Sequence, residues 1–131
     1  MSREFKFRVY SFVCEEFIYF DIYNYPQGIA GGVSEPQEYT GLKDQNGKEI
    51  YEGDILQSTI TNTFYQVKHG WYRQYEELEL NTGGIHTFNY SHIGFFVEYN
   101  ENGEACEGTL AIRNSNSVVV GNIFENSELL K

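Results

Sequence analysis

The chain has 131 residues, the length of one ordinary domain, and folding a chain this long buries roughly two thirds of its extended surface without help from disulfides or metal. Its 19 acidic against 9 basic side chains give a formal charge of −10 and a pI near 4.6, which excludes broad binding to phosphate backbone, since that needs clustered Lys and Arg. One Trp, 11 Tyr and 10 Phe exclude a disordered acidic tail, because such tails lack the bulky groups that close a core.

The first residues alternate. Phe5, Phe7 and Val9 fall on one side and Glu4, Lys6, Arg8 and Tyr10 on the other, which predicts a half-buried strand. The apolar run 9–14 behind Arg3, Lys6 and Arg8 is too short for a signal peptide and ends on Glu15 and Glu16. No stretch approaches the about 18 apolar residues of a membrane helix, so no membrane association and a cytoplasmic location are expected. Residues 17–23 predict a second strand, bulky on both faces. From Asn24 to Glu38 the residues Pro26, Gly28, Gly31, Gly32 and Pro36 predict a long loop.

Asn46-Gly47 predicts a hairpin tip, since both residues tolerate positive φ. Gly53-Asp54 predicts a turn that launches a strand through Ile55 and Leu56 to Ile60, and Thr61-Asn62-Thr63 turns again. Residues 64–69 read as a strand, and 72–80 read ambiguously, with strand preferred over helix. Gly83-Gly84 precedes strands at 85–90 and 93–99, the turn 100–103 leads to a strand at 105–112, and the turn 114–117 leads to one at 118–124. Asn126 or Ser127 is placed to cap one helical turn over Leu129 and Leu130. Short strands between turn signals predict an all-β sandwich or small barrel.

The run Tyr39-Thr40-Gly41-Leu42-Lys43-Asp44-Gln45-Asn46-Gly47-Lys48-Glu49-Ile50-Tyr51-Glu52-Gly53-Asp54-Ile55 resembles the signature of the YopX-like phage and prophage proteins. The tail from Val120-Gly121-Asn122-Ile123-Phe124 to Leu130 resembles that family's C-terminus, and Arg3-Glu4-Phe5-Lys6-Phe7-Arg8 its start, with Phe124 where Tyr is usual and Ser127 where Pro is usual. The resemblance implies a single YopX-like domain over residues 1–131, mostly β, built as a small SH3-like or irregular β-barrel with a short C-terminal helical turn and encoded by a phage or prophage. It implies no activity and transfers no site residue. Between Thr59 and Ser117 no family motif stands out, so that stretch is read from its residues alone.

Motifs for chemistry are weak. Asp44, Asn46 and Glu49 superficially suggest a calcium loop, but Gly47 stands fourth from Asp44 where an EF-hand needs Gly sixth, so a plain turn is the better reading. His69, His86, His92, Cys14 and Cys106 supply ligand types for zinc without ligand spacing, so no metal and no cofactor are expected. Ser91 and His92 are neighbours that a strand points to opposite faces, and no nucleophile elbow or phosphate loop occurs, so the chain is not expected to be an enzyme. The two cysteines are expected as free thiols.

Charge says more. Lys and Arg are absent from 74–112, which holds Glu76, Glu77, Glu79, Glu98, Glu101, Glu104 and Glu107. Solvation alone explains such a stretch; a face for a basic partner, or an imitation of DNA phosphates, is the functional alternative. Trp71 with Tyr65, Tyr72 and Tyr75, beside Lys68 and Arg73, has the composition of a platform for single-stranded nucleic acid, although strand aromatics more often serve a core or an interface. The expected function is a non-enzymatic protein-binding accessory module with a host or phage protein partner, and without duplex DNA binding. Its candidate partner surface is Trp71, Tyr72, Tyr75, Glu76, Glu77 and Glu79. Homo-oligomers are expected too, because residues 17–23 and 95–99 carry bulky side chains on both faces.

Overall fold

The computed structural model describes residues 5–26 and 32–131, with 74–78 and 88–90 as backbone only. Nine strands among these residues form two antiparallel sheets. The first, in order β2-β1-β3-β4, contains β1 (Lys6–Ser11), β2 (Glu16–Asp21), β3 (Gln37–Lys43) and β4 (Glu49–Tyr51). The second, in order β8-β7-β6-β5-β9, contains β5 (Asp54–Ser58), β6 (Phe64–Glu79), β7 (Ile85–Glu101), β8 (Glu104–Thr109) and β9 (Ser117–Asn122). One of the two sheets curls into a half-barrel. Single 3₁₀ turns occupy Leu110–Ile112, Asn114–Asn116 and Ser127–Leu130. The all-β expectation holds, with the C-terminal turn in its predicted place.

The alternation in β1 is misleading about burial. β1 lies between β2 and β3, so both of its edges are paired, and both of its faces are packed as well: Val9 is fully buried, and Arg8 and Tyr10 are buried with it. The predicted loop from Asn24 ends earlier than expected, because Gln37 and Glu38 already pair with Arg8 and Phe7. Its residues 27–31, which include Gly28, Ile29 and Gly31, lie outside the described residues. Val33 bridges to Ser11, and the Ser34 amide donates to the Tyr10 carbonyl at 2.9 Å.

The Asn46-Gly47 hairpin forms between β3 and β4, but only Gly47 takes positive φ, at 83°. Asp44 sets this turn. Its Oδ1 accepts the amides of Asn46 and Lys48 at 2.8 and 2.9 Å, and its Oδ2 accepts the Val119 amide at 2.8 Å. One buried carboxylate thereby fixes the hairpin and fastens it to β9 of the other sheet.

The core between the sheets is Ile50, Leu56, Val67, Val97 and Leu110, flanked by Leu42, Tyr65, Phe95, Tyr99 and Val119; each fully buried aliphatic side chain contributes about 1.5–3 kcal/mol. A second, aromatic cluster joins the C-terminus to β1, where the Phe124 ring stacks on Tyr10 with centroids 4.8 Å apart and Phe12 and Phe17 pack edge-on.

Arg8 is the polar centre of the sheet junction. Its Nε donates to Gln37 Oε1 at 2.8 Å, and its Nη2 donates to Asp54 Oδ1 at 2.8 Å and to the Glu52 carbonyl at 3.1 Å. Asp54 Oδ2 accepts the Tyr51 amide at 2.8 Å, closing the tight β4–β5 corner. Burial pushes the Asp54 carboxyl above its ordinary range, and the Arg8 guanidinium opposes that rise.

Candidate protein-binding surface

The strand predictions at 64–69 and 72–80 fuse into the single strand β6, and those at 85–90 and 93–99 fuse into β7. The two run as partners from Gln66↔Glu98 to Glu79↔Ile85 without a register shift. Gly70 and Gly94 occupy facing positions in that ladder, at φ of 147° and 155°, a conformation glycine takes readily and other residues rarely. A side chain that broke the strands here would end the hairpin; the glycine pair lets it continue.

Beyond that pair the hairpin has no third strand among the described pairings. β5 pairs with β6 only at Phe64, Tyr65 and Gln66, and β8 pairs with β7 only from Phe96 onward. Residues 71–79 and 85–93 therefore form a two-stranded arm about 30 Å long at the usual rise per residue. Its tip turns through residues 80–84, where the Leu80 amide donates to the Gly84 carbonyl at 2.7 Å. Among the described pairings neither outer edge of the arm has a neighbouring strand, and such an edge is the template onto which another strand adds. A hairpin of two strands is marginal in water by itself.

Trp71 and Ile93 share one rung and are 69% and 63% exposed, so their side chains lie together on one face. Ile85, near the tip, is 69% exposed. Tyr72 points the other way: it is buried, with its ring stacked on Phe96 at 5.2 Å and on His92 at 5.7 Å. Trp71 and Tyr72 are thus separated onto opposite faces, and Tyr72 serves the arm's root. Tyr75, Glu76 and Glu77 take rungs opposite Asn89, Phe88 and Thr87. Arg73 and Glu79 are exposed. Lys68, at the base, is engaged by Glu98 at 3.0 Å.

Other chemistry is sparse. Among the described residues no group of three His, Cys, Asp or Glu side chains is placed to share a metal. His69 packs edge-on against Phe95, while Cys14 and Cys106 are free, the former exposed. A cavity of about 270 Å³ places Glu52 with His69, but its other lining residues (Gln37, Gly53, Gln66, Val67, Lys68 and Ile123) include no hydroxyl or thiol nucleophile. Burial raises the Glu52 carboxyl, and His69 works against that. No helix among the described residues is long and apolar enough to cross a membrane.

The signal for the arm was present in the sequence as Gly70 and Gly94, placed symmetrically about the 80–84 turn; it is legible only once the two strands are known to pair with each other. Arg8 gave no such signal, since its position in the alternation reads as solvent-facing.

These features define an all-β protein with a curled sheet, a projecting arm and a buried ion pair at the junction of its two sheets. Residues 33–131 match the profile of the family described as YopX protein, and the chain belongs to that family. A search of curated proteins finds no match. The matched segment starts at the Val33 bridge, so it includes β3 to β9 with Asp44, Asp54 and the arm, while β1, β2 and Arg8 precede it.

Proposed function

We propose that the chain is a non-enzymatic binding module of a phage or prophage, acting in the bacterial cytoplasm, whose β6–β7 arm docks a protein partner with a basic surface. The observation that supports this best is the exposed Trp71–Ile93 rung on an arm whose edges lack a third strand. Large exposed aromatics are the residue type that anchors protein interfaces. The partner is basic because the stretch 74–112 has seven Glu and no Lys or Arg, and complementary charge steers encounter and rejects wrong partners. When no partner is bound, a second copy covers the same apolar face in a closed homo-oligomer.

Placement of Trp71 and Tyr72 on opposite faces, with Lys68 held by Glu98, weighs against a stacking platform for single-stranded nucleic acid, which needs aromatic rings and free cations on one surface. Duplex DNA binding is not expected at a net charge of −10. The test is parallel capture from host lysate with the wild type and a Trp71→Ala/Ile93→Ser variant, folding being checked by circular dichroism. A basic protein retained by the wild type, released by salt and lost from the variant supports the reading. Identical capture by both proteins overturns it.

A further inference from the structure

The two sheets leave a cleft of about 380 Å³ over the Arg8–Asp54 pair, lined by Arg8, Phe17, Tyr19, Lys48, Tyr51 and Asn122 together with acidic neighbours. Arg8 has a side chain 5% exposed, stacked over the rings of Phe17 at 3.9 Å and Tyr51 at 4.9 Å. Its Nε and Nη2 are engaged as described, whereas Nη1 has no partner among the described residues. Only Ser117 Oγ among the described residues is a side-chain polar atom both sealed from solvent and without a partner. Nη1 therefore reaches the cleft, and so does the Tyr51 hydroxyl, which likewise has no bond among the described residues. A buried guanidinium with unused N–H groups facing a cavity is a site awaiting an acceptor.

The acidic side chains around the cleft do not supply that acceptor. Asp54 is taken by Arg8 and the Tyr51 amide, Glu49 by Lys6 at 2.6 Å, and Glu125 by the Asn122 amide group at 3.1 Å. The Lys48 ammonium has no bond among the described residues and adds a second positive charge at the exposed side of the cleft. What remains open is a set of donors: Arg8 Nη1, Tyr51 O–H and Lys48.

We propose that this cleft binds a carboxylate, gripped by Arg8 Nη1 and the Tyr51 hydroxyl, with Lys48 at the mouth and the Phe17 and Tyr19 rings flanking the group that bears it. A monoanion fits better than a phosphate dianion. The two cations lining the cleft already face three carboxylates, so hydrogen bonds rather than surplus charge hold the ligand. Burial and the neighbouring Glu49 push Tyr51 up to about 12, which keeps its hydroxyl a donor throughout the neutral range. A free aromatic acid and the C-terminal carboxylate of a peptide share this chemistry.

The test is a titration of the isotope-labelled full chain, followed by amide shifts, with benzoate, benzamide, phenyl phosphate, and one aromatic-ended peptide in acid and amide forms. Saturable shifts around Arg8, Tyr51 and Asn122 with benzoate and weaker ones with benzamide support the site, as does preference for the peptide acid over its amide. Tighter binding of the peptide acid than of benzoate assigns the source to a chain terminus, and the reverse order assigns it to a free acid. Lys48→Met, a surface change that leaves the fold intact, should weaken benzoate roughly fivefold, the upper end for a solvent-exposed ion pair. Tyr51→Phe, with an unchanged spectrum elsewhere, should weaken it to a similar extent. Equal response to benzoate and benzamide, tighter binding of phenyl phosphate, or no saturable shift up to millimolar benzoate would overturn the proposal.

Discussion

Arg8 and Asp54 are 46 positions apart in sequence and 2.8 Å apart in space, and only Asp54 lies inside the segment that matches the YopX family. The matched region thus depends on a strand from outside it to neutralise its buried carboxylate. Removing one partner of such a pair leaves an uncompensated buried charge, at a cost of about 3–5 kcal/mol, while removing both avoids that penalty. Arg8→Met and Asp54→Leu should each destabilise by that amount, and the double variant by clearly less than their sum. Urea unfolding of the four proteins measures the coupling; strict additivity would mean that the pair does not act as a unit.

The Asp44 hairpin makes a local prediction. Gly47 needs its φ of 83°, so Gly47→Val should destabilise by more than about 1 kcal/mol. Asp44→Ala should be worse, at about 2 kcal/mol or more, because it orphans three backbone amides at once. Thermal melts decide the order. A milder effect for Asp44→Ala than for Gly47→Val would show that the link to β9 adds little.

Alkaline stability should depend on Tyr51. Burial is the main cause that raises it to about 12, Glu49 adds to the rise, and Lys6 and Arg8 oppose it. Its folded value is above its ordinary 10.0, so its contribution is fully present below pH about 10 and is lost as pH climbs through about 12. Tyr51→Phe should flatten the decline of stability across that window. A variant whose alkaline limb matches the wild type would move the effect to other groups.

Most strands were legible because turn residues punctuate them. Asn46-Gly47, Gly53-Asp54, Gly83-Gly84 and Asn102-Gly103 each stand at a strand end. Two things were not legible. Arg8 follows a period-two pattern that reads as solvent-facing, yet the Phe17 and Tyr51 rings close over it, and a sequence does not state what packs on a strand's second face. The arm was hidden because the predicted strands broke at Gly70-Trp71 and at Ser91-His92, when the pairing keeps one ladder continuous through both. For the candidate surface, the alternation that separates Trp71 from Tyr72 was visible, but which of the two faced solvent depended on Phe96 arriving beneath Tyr72.

Self-association is the last prediction, and it is placed on the arm. The segment 95–99 does not need a second chain. Val97 is fully buried, Phe96 is buried under Tyr72, and Phe95 and Tyr99 flank the core. Along β2 the rings of Phe17 and Phe20 also find partners within the chain, on Tyr10 and on Phe7. Two regions gather exposed apolar side chains, Trp71, Ile93 and Ile85 on the arm and Tyr19, Ile22 and Tyr23 at the end of β2; the contact between copies is predicted on the arm, where Trp71 and Ile93 share one rung. Charge opposes it, because the arm's acidic residues are brought together, and added salt relieves that repulsion within a Debye length of about 10 Å at 0.1 M. Light scattering at micromolar concentration and moderate salt should return a multiple of 15.2 kDa, falling to the single-chain mass in Trp71→Ala/Ile93→Ser. A wild-type mass of one chain under those conditions would leave the arm to a different protein alone, and an oligomer that survives the double substitution would put the contact elsewhere.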